Sequence, residues 1–415
     1  MPTTHTLVIG AGQAGLAVSR SLADADVDHV VLERGRVAER WRSHRWEALR
    51  LLTPNWASRL PSWSYQGPHP DGYMTATELA IYLSDYATSF AAPVHEHSPV
   101  RSLERVEDGY AVTTDDRHWR AANVVIATGW CDEPRVPAMA AALDRSVAQA
   151  TAATYRNPAD LPDGRVLVVG ASATGVQLAD ELARSGRDVV LAVGRHSRLP
   201  RCYRGVDTWW WLDQIGTFAR TIDQVSDPAR SRREGSVQLA GRPDRRDVDL
   251  PALQRLGVRL AGRLVGVDGA RVGFADDLPV TTGAADARLE RILQQVDGHI
   301  RALGLGAEVL PPTPRRPVDL ADRIDELDLR DEQVGAVVWA TGFTRPYPWL
   351  HVPLLDQRGE IIQRRGVTPH AGLYVLGQRF QHRGDSNFID GVRHDAAYVA
   401  RHLARRLQSH EPIAS

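Results

Sequence analysis

Lysine is absent from the 415 residues: every one of the fifty basic side chains other than histidine is an arginine. Without lysine there is no Schiff-base residue, which excludes pyridoxal phosphate chemistry. A P-loop is excluded too, because its lysine must reach the phosphates. Cysteine is nearly absent. Cys131 and Cys202 lie 71 residues apart and build neither a disulfide framework nor a cysteine zinc site. The fifteen histidines show no His-Glu-x-x-His spacing, so no metal is expected. No run of 18 apolar residues occurs, so no membrane span is expected. The first residues lack a basic stretch ahead of an apolar core, so no signal peptide is expected. Charge of one sign is missing as well: 50 basic and 51 acidic residues leave −1, which gives no global field for nucleic acid or an anionic membrane. These absences predict a cytoplasmic protein. Its length, at roughly 150 residues per domain, predicts two or three domains.

Two similar units stand out in what is present. Thr6-Leu7-Val8-Ile9 reads as a strand that enters Gly10-Ala11-Gly12-Gln13-Ala14-Gly15. A helical spacing follows from Leu16 to Leu22, then a strand His29-Val30-Val31-Leu32 closed by Glu33. In such a unit the first glycine turns the chain and the second lets backbone approach a pyrophosphate. The third lets helix pack on strand, and the helix N-terminus offers N–H groups to phosphate. Glu33, 18 residues after Gly15, is placed for ribose hydroxyls. The second unit is Arg165–Val169, the turn Gly170-Ala171-Ser172-Ala173-Thr174-Gly175, a helix from Val176, and the strand Asp188–Val193. Ser172 stands at the middle glycine. No acid closes this strand; Arg195, His196 and Arg198 follow, and arginine there pairs with a 2′-phosphate, favouring NADPH. The alternative is that these arginines are solvated loop charges. Two buried-type strands, Val124–Ile126 and Val337–Trp339, both run into Ala-Thr-Gly, at Ala127-Thr128-Gly129 and Ala340-Thr341-Gly342.

Together these segments resemble the two-dinucleotide-domain flavoproteins, and more closely the class B flavin-containing monooxygenases. The carriers are both glycine turns, the two Ala-Thr-Gly strands, Leu51–Trp56, Pro70–Thr75, Gly372–Gly377 and Ser386–Val392. The resemblance covers nearly the whole chain. It implies an α/β fold of two Rossmann-like dinucleotide-binding domains, with the NADP domain inserted into the FAD domain. The FAD domain is expected at 1–158 and 335–415. The NADP domain is expected at 159–334, with a lid or helical segment at 226–304. Pro311–Pro314 reads as a crossing linker. The implied activity is an FAD- and NADPH-dependent monooxygenation of a small organic metabolite. One oxygen atom from O2 would be inserted at N, S or C through a flavin hydroperoxide. The alternatives are an NADPH oxidase or dehydrogenase without oxygen insertion, and Baeyer–Villiger ketone oxygenation. The partners expected are a small substrate and O2; an oligomer is left open.

The resemblance implies FAD contacts from Gly10, Gly12, Gln13, Ala14, Gly15, Glu33, Arg34, Trp41, Trp46, Thr53, Val100, Ala127, Thr128, Gly129, Thr341, Gly342, Phe388 and Ile389. It implies NADPH contacts from Gly170, Ser172, Ala173, Thr174, Gly175, Arg195 and His196. It places Asn55 near a catalytic asparagine that would donate to the flavin–nicotinamide assembly; the alternative is an Asx-type turn beside Pro54. One signature departs from the family. Counting back from Tyr155, the positions of its Phe, Gly and His hold Arg145, Val147 and Thr151. Trp209-Trp210-Trp211 fits either a substrate cavity or a domain interface. The charged stretch Ser226–Asp249 reads as loop or lid, and Ala285–Leu303 as a helix with Leu289, Ile292, Leu293, Val296, Ile300 and Leu303 on one face.

Overall fold

The computed structural model describes residues 2–408. Two sheets organise it. In the first, β1 (Thr3–Ile9) leads through α1 (Gln13–Ala23) to β2 (His29–Leu32). Helix α2 (Ala76–Ser89) precedes β3 (Val94–His95), and the ribbon β4 (Ser102–Val106), β5 (Gly109–Thr113), β6 (His118–Ile126) follows. The order is β3-β2-β1-β6-β5-β4. The late strand β12 (Leu373–Val375) adds parallel to the end of β6, beside β5. The β1, β2 and β6 segments are apolar on both faces, as parallel strands covered by helices must be. Helices α1, α2 and the final helix α6 (Ile389–Gln408) supply one cover, with Leu16, Leu79, Leu83, Val392 and Leu403 in one apolar core. Among the described residues, no helix is long and apolar enough to cross a membrane.

The second sheet is all parallel. Its strands are β7 (Ala148–Thr151), β8 (Arg165–Val169), β9 (Val189–Ala192), β10 (Arg259–Ala261) and β11 (Val334–Trp339), in the order β7-β11-β8-β9-β10. Helix α3 (Ala173–Arg184) crosses from β8 to β9.

This pairing moves the expected boundaries. Ala148 pairs with Ala336, and Val168 with Val338, so β7 and β11 belong to the inserted unit. The chain crosses between units where Glu133–Pro134 pairs antiparallel with Phe343–Thr344. The expected junctions at 158/159 and 334/335 are therefore corrected outward. Pro311–Pro314 is an exposed loop within the inserted unit and not the crossing. The physical reason is register: an apolar β11 is satisfied at the centre of whichever parallel sheet it joins, and here β7 and β8 flank it.

The segment 226–304, expected as lid or helical, is mixed in structure. It contains β10, the hairpin Leu264–Asp268/Arg271–Phe274, and the long helix α5 (Leu278–Leu303). Ser226–Asp249 is mostly irregular but stapled. Arg242 and Arg246 reach the buried Asp180 of α3, and Asp247 accepts from the Arg201 amide at 2.6 Å. Helix α5 starts earlier than its apolar spacing suggested, with Pro279 in its first turn, and ends at Gly304 in the left-handed region (φ +70°). Its buried stripe runs Leu289, Leu293, Val296, Ile300, while Leu303 is exposed at the last turn.

The tryptophan trio lies on α4 (Thr208–Gln214), whose N-terminus is capped by Asp207 accepting from the Trp209 amide. Trp209 packs on Phe218 and Phe388, with ring centroids 4.6 and 5.2 Å away, and the Trp211 indole donates to Tyr203 O at 2.9 Å. Together with the α5 stripe they form an apolar core, which is the interface alternative.

Candidate active site

Both glycine turns have the same geometry. Gly10 and Gly170 sit at φ +107° and +106°, where a Cβ would meet Ala127 O at 2.7 Å and Ala340 O at 2.5 Å. Thus each Ala-Thr-Gly strand end is the wall against which a glycine turn is built. A Cβ on Gly15 would come 1.8 Å from Gly10 O, and on Gly175 1.7 Å from Gly170 O, so helix and strand touch through bare backbone. At Gly12, by contrast, a Cβ would meet nothing within 4 Å. That opening, at the N-cap of α1, has the shape a phosphate cradle needs.

Glu33 is nine-tenths buried beside this opening. Its carboxylate accepts from the Ala11 amide at 2.7 Å and the Gly35 amide at 2.9 Å, which ties the strand end to the turn. The second turn differs. Ser172 takes the N-cap position of α3, and a Cβ on the facing Gly235 would come 2.8 Å from its Oγ. The segment that carries Gly235 is fixed there: the Gln238 amide donates to Ala171 O at 2.7 Å, and Gln177 donates to Leu239 O at 2.9 Å.

A cavity of about 560 Å³ joins the two turns, within the roughly 300–1,000 Å³ of small-molecule sites. Of the residues expected from the sequence, Gly10, Gly12, Gln13, Ala14, Glu33, Arg34, Trp41, Trp46, Val100, Ala127, Thr128 and Gly129 line it. Ala173 and Thr174, at the N-terminus of α3, line it from the other unit, as do Gln177 and Ser236. Gly15, Gly170 and Gly175 stand behind it and shape the turns.

Other expected residues do not reach the cavity. Thr53 stands beside it, next to the lining Leu51 and Leu52. Thr341 and Gly342 lead into the crossing, and the Thr341 carbonyl accepts from the Arg135 guanidinium at 2.9 Å. Phe388 is in the tryptophan cluster, and Ile389 is buried at the start of α6. Arg195 is exposed at the end of β9. The His196 ring is buried; its Nδ1 meets Gly194 O at 3.0 Å, and burial holds its pKa down and the ring neutral. Ser172 and His196 are thus outside the lining. The Asn55 side-chain amide donates to His69 O at 2.9 Å and accepts from the Met74 amide at 2.8 Å. It braces the loop 69–74, the turn alternative, and does not line the cavity.

Sequence reasoning anticipated Gln13, Arg34 and Trp41 in the wall and missed Arg40, Arg45 and Trp130. Gln13 links the walls, accepting from the Trp41 indole and donating to Asn387 O, both at 3.4 Å. Arg45 lies over the Trp41 ring at 5.0 Å, with burial lowering its pKa. Arg40 is pushed down to about 10, first by burial and then by Arg34 and Arg45, and its ion pair is with Asp132. Trp130 carries Arg345 on its face at 3.5 Å. The arginine-rich stretch Glu33–Arg50 is the available signal: Arg34, Arg40, Arg45 and Arg50 all reach this cavity, alongside the acids Glu33, Glu39, Asp132 and Glu133.

Two glycine turns, one on each of two sheets, open into one cavity, the arrangement of a fold with two dinucleotide-binding units. A family model described as pyridine nucleotide-disulphide oxidoreductase matches residues 7–205. The chain is 33% identical over 396 residues to a CzcO-like oxidoreductase of Geobacillus kaustophilus, covering 95% of this chain and 96% of that one. It is 25% identical over 400 residues to the oxidoreductase CzcO of Bacillus subtilis, covering 96% and 98%. Among solved structures, a flavin-containing monooxygenase from Stenotrophomonas maltophilia shares the fold with a TM-score of 0.66 at 20% identity, covering 98% of this chain and all of that one. The chain belongs to the CzcO-like oxidoreductases.

Proposed function

We propose that this protein is a flavin-dependent monooxygenase that holds FAD on the Gly10–Gly15 turn and NADPH on the Gly170–Gly175 turn. It would use them to place one atom of O2 on a small organic substrate. The observation that carries the reading is the shared cavity, into which the N-termini of α1 and α3 both open. Bound FAD, reduced by NADPH, supplies the two-electron chemistry with oxygen.

The chain's own residues bind, orient and exclude water. The amides around Gly12 and the N-terminus of α1 receive the FAD pyrophosphate, where the cradle is open. Glu33 accepts from ribose hydroxyls with the lone pairs its two backbone amides leave free. Trp41 and Trp46 form an apolar wall, and Gln13 spans from that wall to Asn387. Ala173 and Thr174 offer their amides to the second coenzyme, and Arg195 lies past the strand end at which a 2′-phosphate is read. Neither a metal nor a nucleophilic triad is called upon.

The test is anaerobic titration with NADPH, then oxygen with a panel of amines, sulfides, indoles and ketones. The expected result is bleaching of bound flavin, followed by one product carrying a single new oxygen and less than stoichiometric peroxide. Stoichiometric peroxide with every compound would make the protein an NADPH oxidase. A preparation that neither retains nor takes up flavin removes the reading altogether.

A further inference from the structure

We propose that Arg288, on helix α5, is a coenzyme-specificity residue that closes with Arg195 on the 2′-phosphate of NADPH; this rests on the reading above. The argument begins with backbone register. In the first unit Ile9 pairs with Leu32, and the next residue is Glu33. In the second unit Val169 pairs with Ala192, and the next residue is Val193. The position of the ribose-binding acid is therefore filled by a fully buried apolar side chain. Nothing there accepts from a 2′-hydroxyl, and nothing there repels a 2′-phosphate.

The loop that follows holds three basic side chains, of which two are spent. Arg198 is buried between Asp249 at 2.9 Å and Asp286 at 2.6 Å. The imidazole of His196 faces inward to Gly194 O. Arg195 remains, exposed, with no ion pair among the described residues.

Arg288 comes from 93 residues further along the chain. Its Nη1 donates to His196 O at 2.8 Å and to Ser197 Oγ at 2.9 Å, which pins the guanidinium against this loop. Its Nε and Nη2 hold no partner, and no carboxylate lies within 4 Å of it, among the described residues. Because both nearby acids are committed to Arg198, Arg195 and Arg288 are the two cations left at this corner. A guanidinium fixed by one nitrogen and open along its other edge suits two parallel bonds to phosphate. NADH has no group to fill that edge.

The experiment is titration calorimetry on the full chain with two nucleotide probes, adenosine 2′,5′-bisphosphate and adenosine 5′-diphosphate. The unsubstituted chain should prefer the first. Arg288→Gln keeps an amide donor for His196 O and loses the charge. It should weaken the bisphosphate about tenfold, as the loss of one charge-assisted contact does, and leave the diphosphate within about twofold. Arg288→Lys should fall between. Equal weakening of both probes would mean that Arg288 only holds the loop and would overturn the proposal. So would wild-type affinity in Arg288→Gln, or no preference in the unsubstituted chain. None of these readings depends on flavin, so failure of the monooxygenase reading shows separately, as flavin that NADPH does not bleach.

Discussion

Two glycines in one turn carry different burdens, and substitution separates them. A Cβ at Gly15 would lie 1.8 Å from Gly10 O, which forces the N-terminus of α1 off β1. Gly15→Ala should destabilise the protein by ~3 kcal/mol, in the range of overpacked core substitutions. At Gly12 an added side chain meets nothing of the protein within 4 Å, and its φ of −84° is open to any residue. Gly12→Val should keep its thermal midpoint within a few degrees, since the valine would project into the place proposed for pyrophosphate. It should nevertheless purify colourless. Absorbance at the flavin band and a melting curve on the same samples check both statements. Yellow Gly12→Val protein with full flavin content would remove the assignment of this turn. The split also explains why one six-residue motif reads so clearly in a sequence. Some of its glycines answer to backbone packing and one, on the proposed reading, to a ligand, and chance rarely meets both demands at once.

At the scale of elements, the contact of α3 with the linker before β8 holds a carboxyl that titrates unusually high. Glu181, half-buried on α3, is raised to about 7, chiefly by burial and further by Glu47 and Asp180, while the Tyr155 hydroxyl and Arg242 pull the other way. The native state therefore binds the Glu181 proton more tightly than the unfolded chain does. Its contribution is fully present below the unfolded value near 4.5 and is lost as pH rises toward 7. Glu181→Gln should be more stable than the parent by roughly 1–2 kcal/mol at pH 8, once solvent screening is allowed for. The two should converge near pH 4. Urea midpoints across that range test it, and a difference independent of pH would refute the titration. Elements also mark where the sequence stopped being readable. Both βαβ units, the two Ala-Thr-Gly strands and the last helix follow from local patterns of apolar residues, glycine and acid. The partners of β7 and β11 do not, because a short apolar strand states that it is buried and not beside which strand. Pro311–Pro314 looked like a crossing for its composition, whereas the true crossing, Glu133–Pro134 with Phe343–Thr344, is two residues wide on each side and has no composition to notice. The cavity walls that local patterns missed, Arg45 and Gln177 among them, are set by those same distant pairings.

On the proposed reading, the whole molecule must hold two nucleotide sites, each on its own sheet and core, at a fixed separation. Hydride transfer depends on that separation within about an ångström, and an error of this size costs on the order of a hundredfold. One side chain is placed to set it. Arg156 lies in the stretch that leads into β8, and its guanidinium donates to Arg45 O at 2.6 Å and also to Ser43 O. The Glu47 amide returns the contact, donating to Arg156 O at 2.9 Å. Residues 43–47 belong to the first unit and include His44, Arg45 and Trp46 of the cavity wall. Arg156 thus fastens the inserted unit to the wall of the proposed flavin site without lining the cavity itself. Arg156→Ala would leave each sheet and its apolar core intact. On the proposed reading, flavin content should stay near one per chain and NADPH affinity within about threefold, since neither glycine turn is touched. The rate of anaerobic flavin reduction in a stopped-flow mixer should fall by ten- to a hundredfold. Arg156→Lys, with one cation and no fork, should restore only part of it. A reduction rate equal to the parent's would show that the two units keep their spacing by other contacts. Loss of flavin from Arg156→Ala would instead make this arginine a support of the first site alone.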